Sequence, residues 1–205
     1  MERKKVGNMA DDKTTGEVTE LTEEAIDALT EGLAGANRRK RQEASHALAL
    51  AAQENPDQLM GHVDDLVDAL YRPEAQTRWE VLTALTAIAS RNAGLVKDAY
   101  DGAEASLFDE DSAIVRLAAF RFLVRLGASA PELSDQIWTV MDEAIQCYHG
   151  DPEYRDMLTA LTEFAGGSIS DATREALVTR VGFDAQNGYG YVKALSAEVI
   201  QAARG

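Results

Sequence analysis

Side chains able to do covalent or metal chemistry are few in this chain: three histidines and a single cysteine, Cys147. Cys147 and His149 stand two residues apart, a spacing that does not place both on one helical face, so they do not assemble a zinc site of the usual kind. The HExxH, paired Glu-x-x-His, P-loop and GxGxxG patterns do not occur, and no serine occupies a GxSxG elbow. Carboxylate pairs such as Asp64-Asp65 and Asp142-Glu143 are what an acidic helical surface produces by chance. Gly188-Tyr189-Gly190-Tyr191 lacks both a preceding strand and a lysine, and reads as a turn. No catalytic residue, metal ligand or cofactor is therefore expected. What remains is recognition chemistry. Asn37-Arg38-Arg39-Lys40-Arg41 is the one dense basic run, suited to an anion or an acidic partner segment. Trp and Arg, the side chains that most often dominate binding surfaces, are the other resource.

The elements that position these groups are periodic. Residues 82–89 read LTALTAIA and residues 158–165 read LTALTEFA, identical at six of eight positions and offset by 76, twice 38. Midway, residues 120–127 read FRFLVRLG, with large apolar residues in the same slots. A fixed period in this range marks a stack of repeated supersecondary units. Apolar residues recur at helical spacing in Ile26, Leu29 and Leu33, in Val63, Leu66 and Leu70, in Tyr100, Ala103 and Leu107, and in Ile137, Val140 and Ala144. Asn55-Pro56 and Asp151-Pro152 put a capping residue before a proline at the first helical position. Gly127 and Gly166 follow apolar runs as helix stops. The expectation is ten helices in five pairs, over 22–33, 38–53, 56–71, 74–91, 94–108, 112–127, 131–148, 152–166, 171–181 and 189–203. Residues 1–20, polar and without apolar periodicity, read as a disordered tail preceding a repeat domain over 21–205.

Within this pattern, LFDEDSAIVRLAAFRFLVRLG, residues 107–127, resembles a HEAT repeat: a leucine closing the first helix, an acidic turn, Val115-Arg116 opening the second helix, Ala119, and a closing Leu-Gly. The arginine recurs at Arg41, Arg78 and Arg116, while the fourth pair holds Tyr154 in that slot, with Arg155 next, and the fifth holds Val192, then Lys193. The family's turn aspartate is only loosely matched, by Asp109 or Asp111. Resemblance to the HEAT-repeat (armadillo-like) family implies an all-α, right-handed solenoid whose second helices line a concave face. HEAT-like folds also include enzymes, such as phycobilin lyases and deoxyhypusine hydroxylase, and alkylpurine DNA glycosylases. The repeated His-Glu motifs of the hydroxylase are not matched here.

Helical geometry then selects what the second helices leave outside the core. In 74–91 the face opposite Val81, Ala84, Leu85 and Ile88 carries Trp79, Thr83, Thr86 and Ser90. The same register gives Gln42, His46, Ala49 and Gln53, then Leu117, Arg121, Val124 and Ala128, then Arg155, Thr159, Thr162 and Gly166. The candidate binding strip is His46, Trp79, Arg121 and Arg155, expected to be nearly free of carboxylates. Arg38, Arg39, Lys40 and Arg41 form the candidate anion-binding turn.

Composition narrows the partner. A net charge of −15 and a pI near 4.6 oppose general affinity for DNA or RNA. Arginine outnumbers lysine 14 to 6, so acidity here is compatible with a proteome-wide bias as well as with a basic partner. The chain has no apolar run long enough to span a membrane. One cysteine allows no internal disulfide, which fits a reducing cytoplasm. The reading is a non-enzymatic scaffold or adaptor that holds a protein or peptide partner on its concave face, as a monomer or as a subunit of a complex. The alternatives are an accessory subunit or lyase-type enzyme, and a nucleic-acid-binding protein.

Overall fold

The structure, a computed structural model, describes residues 21–205, so the polar segment 1–20 lies outside the described residues. The described chain is a run of helices: α1 (Glu23–Ala34), α2 (Arg38–Glu54), α3 (Val63–Ala69), α4 (Ala75–Asn92), α5 (Tyr100–Leu107), α6 (Ala113–Gly127), α7 (Pro131–Cys147), α8 (Tyr154–Gly166), α9 (Asp171–Asn187) and α10 (Gly190–Arg204). They pair as the period requires, and no strand occurs among the described residues. The even-numbered helices α2, α4, α6, α8 and α10 pack side by side as one continuous layer, while the odd-numbered helices meet more loosely behind them. The architecture is an all-α solenoid.

The repeated motifs supply its core. Leu82, Phe120 and Leu158 are fully buried, as are Leu85, Leu123 and Leu161. Ile88, Leu126 and Phe164 complete the third row of the same stack. Caps fix the starts: Thr22, Asn37 and Ser170 accept hydrogen bonds from the backbone N–H groups of Ala25, Lys40 and Thr173.

Two expected helices differ in kind. The first helices of pairs two and three begin as 3-10 segments, Pro56–His62 and Ala93–Ala99, before turning α-helical. The cause repeats with the period. Asn55 and Asn92 each accept from the N–H two residues on, in Asp57 and Gly94, closing a tight turn that winds into i→i+3 bonding. A second difference is the length of α9, which continues past Val181 to Asn187. Gly182 lies inside it; glycine weakens a helix without forbidding it, and packing holds this one. The Gly188–Tyr191 segment does contain the last turn, where Gly190 adopts φ +56°, a left-handed conformation that favours glycine.

A ladder of arginines joins successive pairs along the turns. Arg41 donates to both carboxylate oxygens of Glu74, at the start of α4, and to the carbonyl of Gly35, 2.8 Å away, in its own pair's turn. Arg78 meets Asp109 at 2.7 Å. Arg116 donates to Glu153, with its Nε 2.8 Å away, and to the carbonyl of Asp109. Arg41 and Arg116 thus tie their own turn to a carboxylate of the next pair, and Arg78 makes the link to the next pair's carboxylate. The ladder ends at Tyr154, a buried ring in the arginine slot, packed on His149 at 4.8 Å between centroids. In the last pairs Arg174 does related work, donating to the carbonyls of Ala165 and Ala203 that end α8 and α10.

The ladder makes stability depend on pH. Hydrogen bonds from Arg41 hold the Glu74 carboxyl below the usual carboxylate range, against the opposing effect of burial. The unfolded chain therefore binds this proton more readily than the folded one. The contribution is complete at neutral pH and is lost as pH falls below about 4.3, the ordinary glutamate value, through the folded value. Urea midpoints measured from pH 7 down to pH 3 are expected to fall, and Glu74→Gln to flatten that profile. An unchanged profile in the variant would mean that Glu74 is not a source of the acid sensitivity.

Candidate functional site

The exposed face of the even-numbered helices is not uniform. Positions that share a slot in successive repeats either bridge or leave a gap. His46 on α2 reaches Glu80 on α4, Nδ1 to Oε1 2.9 Å. Two repeats on, Arg121 and Asp156 occupy the corresponding slots and approach to 3.7 Å. Between them the equivalent pair is Thr83 and Ala118, which cannot bridge. The row of ion pairs is broken there, and a groove of about 370 Å³ opens between α4 and α6.

Trp79, Thr83, Thr86 and Ser90 line one side, and Ile114, Leu117, Ala118, Arg121 and Arg125 the other. Its polar appearance in sequence is misleading. Thr83 donates its hydroxyl to the carbonyl of Trp79 at 2.9 Å, Thr86 to Leu82 at 2.6 Å and Ser90 to Ala87 at 2.6 Å. With these donors used inside the helix, the threonines offer mainly methyl groups. Ile114 is half exposed at the mouth, and Leu50 on α2 is equally uncovered. The result is an apolar trough with an indole on one wall and two guanidinium groups at one end.

Trp79 and Arg121 come together in this groove; His46 and Arg155 do not line it. His46 faces Glu80, and Arg155 lies over the Tyr191 ring on α10, 5.8 Å from its centroid. Two members of the extrapolated strip are not exposed at all: Ala49 and Val124 are buried. Both sit at the border of the core arc, and their outward places are taken by Leu50 and Arg125, one residue on. Nor is the face free of carboxylates. Besides Glu80 and Asp156, Glu163 pairs with Arg125 at 2.9 Å. The ladder arrangement, in which each cation draws an acid from the next repeat, accounts for this.

At the turn before α2, Arg41 is buried in its bonds to Glu74 and Gly35 rather than presented at the surface. Arg39 pairs with Glu43 one turn along at 2.7 Å, while Arg38 and Lys40 remain exposed. Sequence reasoning missed Ile114 and Arg125 as groove residues. Their apolar or cationic types at i, i+3, i+7 and i+11 with Leu117 and Arg121 were a usable signal.

Comparison with known proteins bears on the fold. A designed armadillo repeat protein in complex with peptide (KR)4 superposes with a TM-score of 0.73 at 16% identity, covering 88% of this chain and 82% of that one. Computationally designed armadillo repeat proteins for modular peptide recognition give 0.71 at 16% identity, with 87% and 82% covered. An engineered protein gives 0.70 at 19% identity, over 90% and 87%. No family model and no curated protein matches the sequence. The structural likeness, at these identities, establishes an armadillo-like repeat fold. No described helix is long and apolar enough to cross a membrane.

Proposed function

We propose that this chain is a non-catalytic repeat scaffold that holds a protein or peptide partner on the exposed face of its even-numbered helices, seated in the groove between α4 and α6. The observation that carries this is the break in the ion-pair row, where Thr83 and Ala118 replace bridging residues and Trp79 faces Ile114 and Leu117 across an open trough. Indole and guanidinium side chains beside apolar surface are the combination most often found at binding hot spots. The similarity to designed armadillo proteins, one of them in complex with a peptide, supports a peptide-like occupant. The groove suits a segment with an apolar anchor for Trp79, Ile114 and Leu117 and an acidic group for Arg121. The Arg121–Asp156 pair is long and more than half exposed, so exchanging one carboxylate for another costs little.

The test is selection of peptides from a random display library against the full chain, followed by affinity measurement on a Trp79→Ala/Arg121→Ala variant. Selected peptides carrying an apolar–acidic motif are expected to bind the double variant more than about tenfold more weakly, a loss of roughly 1.4 kcal/mol. Its melting temperature should change little, because neither side chain is part of the buried core. Equal binding by the two proteins would reject this groove as the seat. Loss of binding only on replacing Arg38 and Lys40 would move the site to the turn.

A further inference from the structure

A second groove lies in the other layer, between α7 and α9, and its chemistry is opposite to that of the first. Its volume is about 700 Å³. Trp138 and Asp142 of α7 form one wall, and Ala172, Glu175, Ala176, Thr179, Arg180 and Phe183 of α9 form the other. The α9 residues fall at i, i+3, i+4, i+7, i+8 and i+11, one helical stripe, turned away from the buried stripe Thr173, Leu177 and Val181. Three polar ties, seven residues apart along α7 and the turn that follows it, hold the two helices side by side. Asp135 accepts from Ser170 and Thr173, Asp142 from Arg180, and His149 meets Asp184 at 3.0 Å.

Charge and aromatic groups define the occupant. Among the described residues Arg180 is the one cation lining the groove, and Asp142 neutralises it through two hydrogen bonds. Glu175 is exposed and has no ion-pair partner among the described residues. Asp184, next to Phe183, is taken up by its tie to His149. Phe183 is 73% exposed, far more than a phenylalanine needs to be in a folded helix, and the alanines opposite Trp138 leave its indole accessible. Trp138 is held in place from behind by stacking on Phe164, with ring centroids 6.3 Å apart.

We propose that this groove docks a basic amphipathic helix of a partner protein, with its apolar face on Trp138 and Phe183 and a lysine or arginine cation on Glu175. Two parallel helix walls receive a third helix in the groove-binding mode that many amphipathic targets use. Aromatic faces attract the cations as well as the aliphatic stems of lysine and arginine. The chain's net charge of −15 steers such a partner inward.

The two tryptophans of the chain fall one in each groove, which makes the site separately observable. In a Trp79→Phe background, Trp138 is the only indole that reports. Titrating a short synthetic helix, with lysines along one face and leucines along the other, is expected to shift Trp138 emission to the blue and saturate. A counterpart with glutamate in place of lysine is expected to do nothing. Phe183→Ala and Glu175→Lys, both on exposed positions that the fold does not need, should each weaken binding at least about tenfold. A silent Trp138, or undiminished binding by both variants, would overturn the proposal, the latter by showing that the basic helix adheres to the acidic surface at large. The outcome is independent of the α4–α6 groove, which Trp79 reports in a Trp138→Phe background.

Discussion

Leu123→Ala is expected to cost roughly 3–5 kcal/mol of folding stability, the upper part of the range for deleting a buried leucine side chain. Leu123 is fully buried in α6, the central helix of the even-numbered layer, which packs against α4, α5, α7 and α8. Helices held on every side cannot close over the vacated space, so the cavity remains and its lining loses dispersion contacts. Urea denaturation followed by helical circular dichroism measures the loss. A cost under about 0.5 kcal/mol, the scale of an ordinary surface change, would contradict the stacked register of Leu85, Leu123 and Leu161.

Removing one side of a ladder pair is the second large effect. Arg116→Met leaves the Glu153 carboxylate 4% exposed, with its Oε2 atom already lacking a hydrogen-bond partner. Arg116 is therefore the main support of that charge, and its loss should cost roughly 3–5 kcal/mol. Arg116 also carries the carbonyl of Asp109 and lies 5.0 Å from the centre of the Tyr148 ring, so packing contributes to the damage. The pair itself is a different quantity. Replacing both partners, Arg116→Met with Glu153→Leu, should recover most of the loss, because no buried charge is then stranded. Equal instability of the single and double variants would show that the guanidinium's contacts to Asp109 and Tyr148 matter more than the charge pair.

The two predictions divide along what could be read in the chain. Leu123 was legible as a core residue because period 38 and helical spacing agree at that position. The arginine of Arg41, Arg78 and Arg116 was legible as a repeat but not in its role. Its partners Glu74, Asp109 and Glu153 lie 33, 31 and 37 residues on, at no constant offset, and they occur in a chain with 35 acidic residues to choose from. Likewise, Trp79 and Arg121 were selected by register as neighbours, and the groove contains both. The extrapolation failed at Ala49 and Val124 because a fixed angle per residue does not state where the core arc ends; the packing of the next helix does.

Phe183 shows the same limit from the other side. Local signals ended α9 at Val181, before a glycine, which would have left the phenylalanine in a loop. Packing against α10 and α7 carries the helix through Gly182 to Asn187, and so aligns Phe183 with Ala176, Glu175 and Ala172 on one stripe. The amino-acid sequence alone determined that this protein is a stack of helix pairs, since periodicity and capping are local properties that every repeat states again. Which polar residues pair across repeats, where the ion-pair row breaks, and which two helices leave a groove between them were decided only by the tertiary structure. Those features depend on the distance and rotation between helices, and packing sets both without leaving a fixed spacing in the chain.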